Sequence, residues 1–233
     1  MGEVRSRTAE LTSQVLGGLL VAHFVYVAVR GVATGHPENC FWLSHLATLV
    51  GGIGILLASP LLVSVALVCL LEGHLVWVSD VVSKWVIGYR WLGITSYLDR
   101  ATWADWLQTV NHFITVPALL FVAVTRTGVR RGAWRGAALL YGFLLIISAT
   151  LLPAQPNINS AYRLWEGLDE TPLARLNALP VPLYLLALTV LNTLISFWPS
   201  NWVLSFLLAE PRLEHSRSSR HQIAIVSDRP KSL

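Results

Sequence analysis

Along the chain, apolar residues gather into six runs, at 11–29, 41–58, 60–79, 103–124, 136–153 and 180–198, and polar residues gather between them. Each run approaches the roughly 20 residues that a helix needs to cross a hydrocarbon layer about 30 Å thick. The pattern predicts an all-α fold, a polytopic integral membrane helical bundle of about six transmembrane helices over residues 1–209. Residues 210–233 read as a polar, disordered cytoplasmic tail. The break at Ser59-Pro60 predicts a tight helical hairpin between the second and third spans. Residues 80–101 mix Lys84, Arg90, Asp99 and Arg100 with Trp85, Tyr89, Trp91 and Tyr97. That mixture predicts a segment lying on the membrane surface. The first run is longer than a signal-peptide core and lacks a small-residue cleavage site, so it reads as an uncleaved anchor.

Composition agrees with the pattern. Apolar side chains make up 54% of the 233 residues and charged ones 13%, with a mean hydropathy of +0.57. Such a chain is too apolar and too charge-poor for an ordinary soluble domain. Ten tryptophans fit many crossings, because indole favours the headgroup level. The net charge of +4 is carried by loops and tail, with no basic patch interleaved with aromatics, so membrane lipids and not nucleic acid are the expected partners. Lys and Arg number 11 on the side of the termini and 6 on the other side of a six-span arrangement. Positive charge collects inside, which predicts cytoplasmic termini with the long loops outside; the expected host is a bacterial inner membrane. The two cysteines, Cys40 and Cys69, fall at different predicted depths and are not expected to pair.

Candidate chemistry lies in the outer halves of three spans. In the fourth, Asp105, Gln108, His112 and Thr115 share one stripe of a 3.6-residue helix, and Pro117 predicts a backbone irregularity just beyond His112. His45 in the second span and Glu72 and His74 in the third join them at outer depths, whereas the cytoplasmic halves hold almost nothing ionisable. Glu72 and His74 point about 200° apart on a regular helix, so only one can face the site. Polar groups at membrane depth usually face the bundle interior or a wet cavity. Ser44, Thr48 and Gly51 or Gly52 form a small-residue face suited to close helix packing. The candidate catalytic set is therefore His112, His45, Glu72 and Asp105. His45, His74 and His112 are candidate zinc ligands.

Two resemblances bear on this set. With Ser44, Asp80, His45, His74 and His112 the inventory resembles the intramembrane hydrolases that include alkaline ceramidases and adiponectin-receptor-like proteins. It departs from them in the last span, which lacks their two histidines four residues apart. Over residues 41–165, His45, Asn111-His112 and Asn157-Ile158-Asn159 with Tyr162 resemble bacterial multi-pass proteins of the YwaF-like type, some relatives of which are lipid acyltransferases. That resemblance implies metal-free acyl transfer with His112 as general base, oriented by Asp105 or Glu72. The expected function is a lipid hydrolase or acyltransferase acting in an outward-facing polar cavity. The alternatives are a small-molecule transporter or binding protein, or a non-catalytic scaffold.

Overall fold

The computed structural model describes residues 2–164 and 171–208, with side chains from residue 7 onward. The predicted tail, 210–233, and Glu166, Asp169 and Glu170 of the fifth loop lie outside the described residues. Within them the chain is helical throughout, without a strand. Its α-helices are α1 (Gly2–Ala33), α2 (Leu43–Leu56), α3 (Pro60–Ile87), α4 (Trp103–Thr109), α5 (Asn111–Val122), α6 (Ala133–Leu151), α7 (Val181–Asn192) and α8 (Trp198–Leu207). A π-helical turn, Ala123–Thr127, extends α5, and another, Thr193–Phe197, joins α7 to α8. Five helical stretches are long and apolar enough to cross a membrane: Arg7–Ala33, Pro60–Ile87, Trp103–Thr127, Ala133–Leu151 and Val181–Leu207.

The predicted second span is shorter than the apolar run that announced it. The sequence Pro37–Phe41 winds instead as a separate 3₁₀ turn, leaving α2 with 14 residues, or roughly 21 Å of helix. Three neighbours hold α2 close. A Cβ on Gly52 would meet the Gly17 carbonyl of α1 at 3.0 Å, and one on Gly51 would meet Leu119 of α5 at 2.9 Å and Ala66 of α3 at 3.1 Å. Here the small-residue face is a packing face, as expected. Thr48 Oγ1 lies 3.1 Å from Thr115 Oγ1 and hydrogen-bonds the Ser44 carbonyl, so a polar seam joins α2 to α5.

α3 is the central element. Every residue from Val63 to Leu70 is buried, because α2, α5 and α6 surround its first half. Ser59 caps its start, its side chain accepting from Leu62 N, and Pro60 occupies the first turn, where a missing N–H costs nothing. The helix stops at Gly88, whose φ of +83° supplies the left-handed cap that ends many helices. It thus runs eight residues beyond the predicted end at Ser79, and the expected surface segment shrinks to the chain after Gly88. Contacts along the helices fix their directions. Trp85 faces Trp106, Trp77 faces His112 and Ala66 meets Leu119 by way of Gly51, so α3 and α4–α5 are antiparallel. Gly136 packs on Val65, while Cys69 Sγ is 4.0 Å from the Ala137 carbonyl, which makes α6 parallel to α3. The two thiols are not linked.

Candidate functional site: a histidine cluster under a strapped loop

Four helices each deliver one histidine to the same region: His23 from α1, His45 from α2, His74 from α3 and His112 from α5. The His74 and His112 rings lie 4.5 Å apart, those of His23 and His45 6.0 Å apart, and Trp77 stacks on His112 at 4.3 Å. His23, His45 and His74 are buried, with His45 and His74 each only 3% exposed. His112 Nδ1 is 3.0 Å from the Thr109 carbonyl. A carbonyl only accepts, so Nδ1 carries hydrogen and the lone pair of the neutral ring sits on Nε2. Both ring nitrogens of His74, His45 Nδ1 and His23 Nε2 find no hydrogen-bond partner among the described residues. Leaving such buried groups unpaired costs about 1–3 kcal/mol each.

A pocket of about 420 Å³ opens beside the cluster. Its lining is both polar, with Ser44, His45, Gln108, Thr109 and His112, and aromatic or apolar, with Trp42, Trp77, Ile94 and Tyr97. The Tyr97 hydroxyl accepts from Trp77 Nε1 at 3.1 Å, and burial pushes its pKa up, so it keeps its own hydrogen. Cys40, at the rim of α2, gives its thiol to the Pro37 carbonyl, and burial raises its pKa. A protonated, hydrogen-bonded thiol is a poor nucleophile.

None of the three carboxylates that the sequence placed near His112 serves it. Asp105 Oδ2 accepts from Thr102 N and Thr102 Oγ1, closing a capping box at the start of α4, while Oδ1 takes the Arg30 guanidinium at 2.6 Å. Arg30 also donates to Gln108 Oε1 and the Ala104 carbonyl, so this group clasps the end of α1 to α4. Asp80 is wholly buried and accepts four hydrogen bonds, from Leu92 N, Gly93 N, Thr95 N and Thr95 Oγ1. It folds the loop after Gly88 back over α3. Arg90 reinforces that strap by donating to Thr95 Oγ1 and Asp99 Oδ1. Glu72 is half-buried, on the side of α3 away from His74, and makes no hydrogen bond or ion pair with the described residues. The orienting group for His112 is therefore a backbone carbonyl one helical turn back.

Zinc does not fit the set proposed for it. Among the described residues no three His, Cys, Asp or Glu side chains are placed to hold a metal ion. Asn159 of the fifth loop reaches the start of α2. Its Oδ1 accepts from Leu43 N at 2.8 Å and its Nδ2 donates to the Phe41 carbonyl at 2.9 Å, capping α2 from a distance. Asn157 instead bonds its own loop, at Tyr162 N and the Arg163 carbonyl. α5 continues through Pro117, whose missing N–H leaves the Phe113 carbonyl without its helical donor, and the chain breaks stride at Val110, between α4 and α5. His23 is the residue that sequence reasoning missed. It stands ten residues from the end of α1, almost as far in as His112 stands from Trp103, and the same depth argument would have found it.

No protein-family model matches the chain, and no curated protein or solved structure matches it either. Function is therefore argued from the site alone.

Proposed function

We propose that the chain is a six-pass membrane protein with cytoplasmic termini, whose outward-facing histidine pocket admits the polar end of a lipid. His112 takes a proton there. Five helices of spanning length support the crossings, and α2, though short, joins the end of α1 at the histidine end to the start of α3 at the opposite end. The excess of Lys and Arg away from the histidine end supports the orientation. The observation that carries the reading is the disposition of His112. Its Nδ1 is held by Thr109, its ring lies against those of His74 and Trp77, and it lines a pocket with both polar and aromatic side chains. An amphiphile meets such a lining along its whole length. A neutral imidazole so held, with one free lone pair, is the form that removes a proton from a hydroxyl, as lipid hydrolysis or acyl transfer requires. Binding without reaction is the second reading, favoured by the absence of a carboxylate behind the imidazole.

Turnover of a phospholipid with a fluorescent acyl chain, in mixed micelles, separates the two. In the catalytic reading His112→Gln lowers turnover by about 100-fold or more and leaves the melting temperature within a few degrees. In the binding reading the wild type retains the lipid without releasing acyl chain, and His112→Leu loses that retention. A His112→Leu protein that turns over or retains lipid as the wild type does overturns both.

A further inference from the structure

The end of the bundle opposite the histidines carries a second pocket, of about 380 Å³, between the start of α6 and α8. Its chemistry is different. Arg131, Trp134, Trp198, Trp202 and Ser205 line it, and Arg126, Arg130 and Arg135 lie within the same stretch of sequence. The described residues from Trp106 to Leu208 contain no Asp or Glu. Arg131 is exposed and makes no hydrogen bond or ion pair with the described residues, and the Arg135 guanidinium sits 5.3 Å from the Trp134 ring centroid.

The scaffold beneath is rigid. Asn201, 2% exposed, accepts at Oδ1 from Gly132 N at 2.9 Å and Trp134 N at 3.5 Å, and gives Nδ2 to the Arg130 carbonyl at 3.0 Å. The Val129 N–H donates to the Leu208 carbonyl, and Arg130 N to Ser64 Oγ. The first N–H groups of α6 are therefore already engaged. An anion here must be met by the guanidinium of Arg131. On α8, Trp198 and Trp202 are one turn apart and 53% and 65% exposed, with Phe206 against Trp202 at 6.2 Å. Such large rings are stable at a helix end only where the surroundings are part apolar and part wet, which is the headgroup layer.

We propose that this pocket holds the headgroup of an anionic phospholipid. The phosphate pairs with Arg131, the indoles of Trp198 and Trp202 flank it, and the acyl chains lie against the exposed apolar side chains beside it. Three indoles and a phenyl ring around one unpaired guanidinium suit a phosphate that arrives with apolar chains attached, and suit a fully hydrated anion poorly. The proposal rests on the chain being embedded in a membrane, and is independent of what the histidine pocket does.

The test is lipid retention by the full-length protein, purified from bicelles of phosphatidylcholine containing phosphatidylglycerol and weighed by native mass spectrometry. Phosphatidylglycerol should be retained in preference to phosphatidylcholine. Its apparent affinity should fall about fivefold in Arg131→Gln, the weight of one basic residue near the surface, and not in Arg100→Gln at the other end. Equal retention of the two lipids, or equal retention by Arg131→Gln and wild type, overturns the proposal. A melting temperature raised as much by inorganic phosphate as by phosphatidylglycerol marks a free-anion site and overturns it too. Protein that stays soluble without bicelle or detergent overturns the membrane reading, and this proposal with it.

Discussion

Among the described residues, His74 is the side chain with both of its buried polar atoms left without a hydrogen-bond partner. A buried imidazole with neither nitrogen paired opposes folding by about 1–3 kcal/mol. Its ring contacts with His112 return only part of that. His74→Phe keeps the ring and removes the unpaired polar atoms, so it should raise the melting temperature while weakening whatever the pocket does. A variant that melts lower would show that His74 is stabilised by a partner in the pocket. Asp80 is the opposite case. Four donors converge on its carboxylate, and Asp80→Asn turns an N–H₂ group toward some of them. The expected loss is about 2–3 kcal/mol, with new protease cleavage in the loop after Gly88. Unchanged cleavage and melting would mean the loop is held by other contacts.

At the scale of elements, the strap and the α1–α2 contact make separate predictions. Arg90 beside Asp99 holds that carboxyl below the usual carboxylate range. Such a pair stabilises the fold above the ordinary carboxylate pKa of about 3.9, and its contribution is lost as pH falls through the lowered folded value. Asp99→Asn should therefore lower the melting temperature slightly at neutral pH, flatten its fall below about pH 4, and converge with wild type in strong acid. An acid limb as steep as that of wild type would argue against it. Helix α2 is held to α1 at backbone distance by Gly17 and Gly52, each of whose added Cβ would meet the partner's backbone carbonyl at 3.0–3.1 Å. Gly52→Val should cost about 1–3 kcal/mol through overpacking. It should also move His45 away from His23, readable as a lost cysteine crosslink between Cys substitutions at those two positions. A crosslink formed as readily as without Gly52→Val would sink the idea that this glycine sets the spacing.

For the whole molecule the central question is orientation. Reporters fused after Leu233 and near Arg130 should be cytoplasmic and one near Asn157 external, because Lys and Arg number 11 on the first side and 6 on the second. A cytoplasmic reporter at Asn157 would invert the histidine pocket. The same orientation would place the arginine and tryptophan pocket against the inner leaflet, where anionic lipid gives it a ligand.

Apolar run length by itself determined that the chain is helical and that most of its helices are long enough to cross a membrane, since burying a spanning backbone in lipid requires uninterrupted apolar helix. It also located His45, His74 and His112, because polar residues in such runs are few enough to stand out one by one. The tertiary structure decided what hydropathy cannot carry. Whether Asp105 and Asp80 serve the pocket depended on who reached them first, Arg30 with Thr102 in one case and the folded loop in the other, and those partners lie up to 75 residues away or on backbone N–H groups that no side-chain pattern records. The length of α2 and the far end of α3 turned on a 3₁₀ turn and one left-handed glycine. The meeting of the His74 and His112 rings followed from how α3 packs on α5, since side-chain direction at a helix contact is set by packing and not by position along the chain.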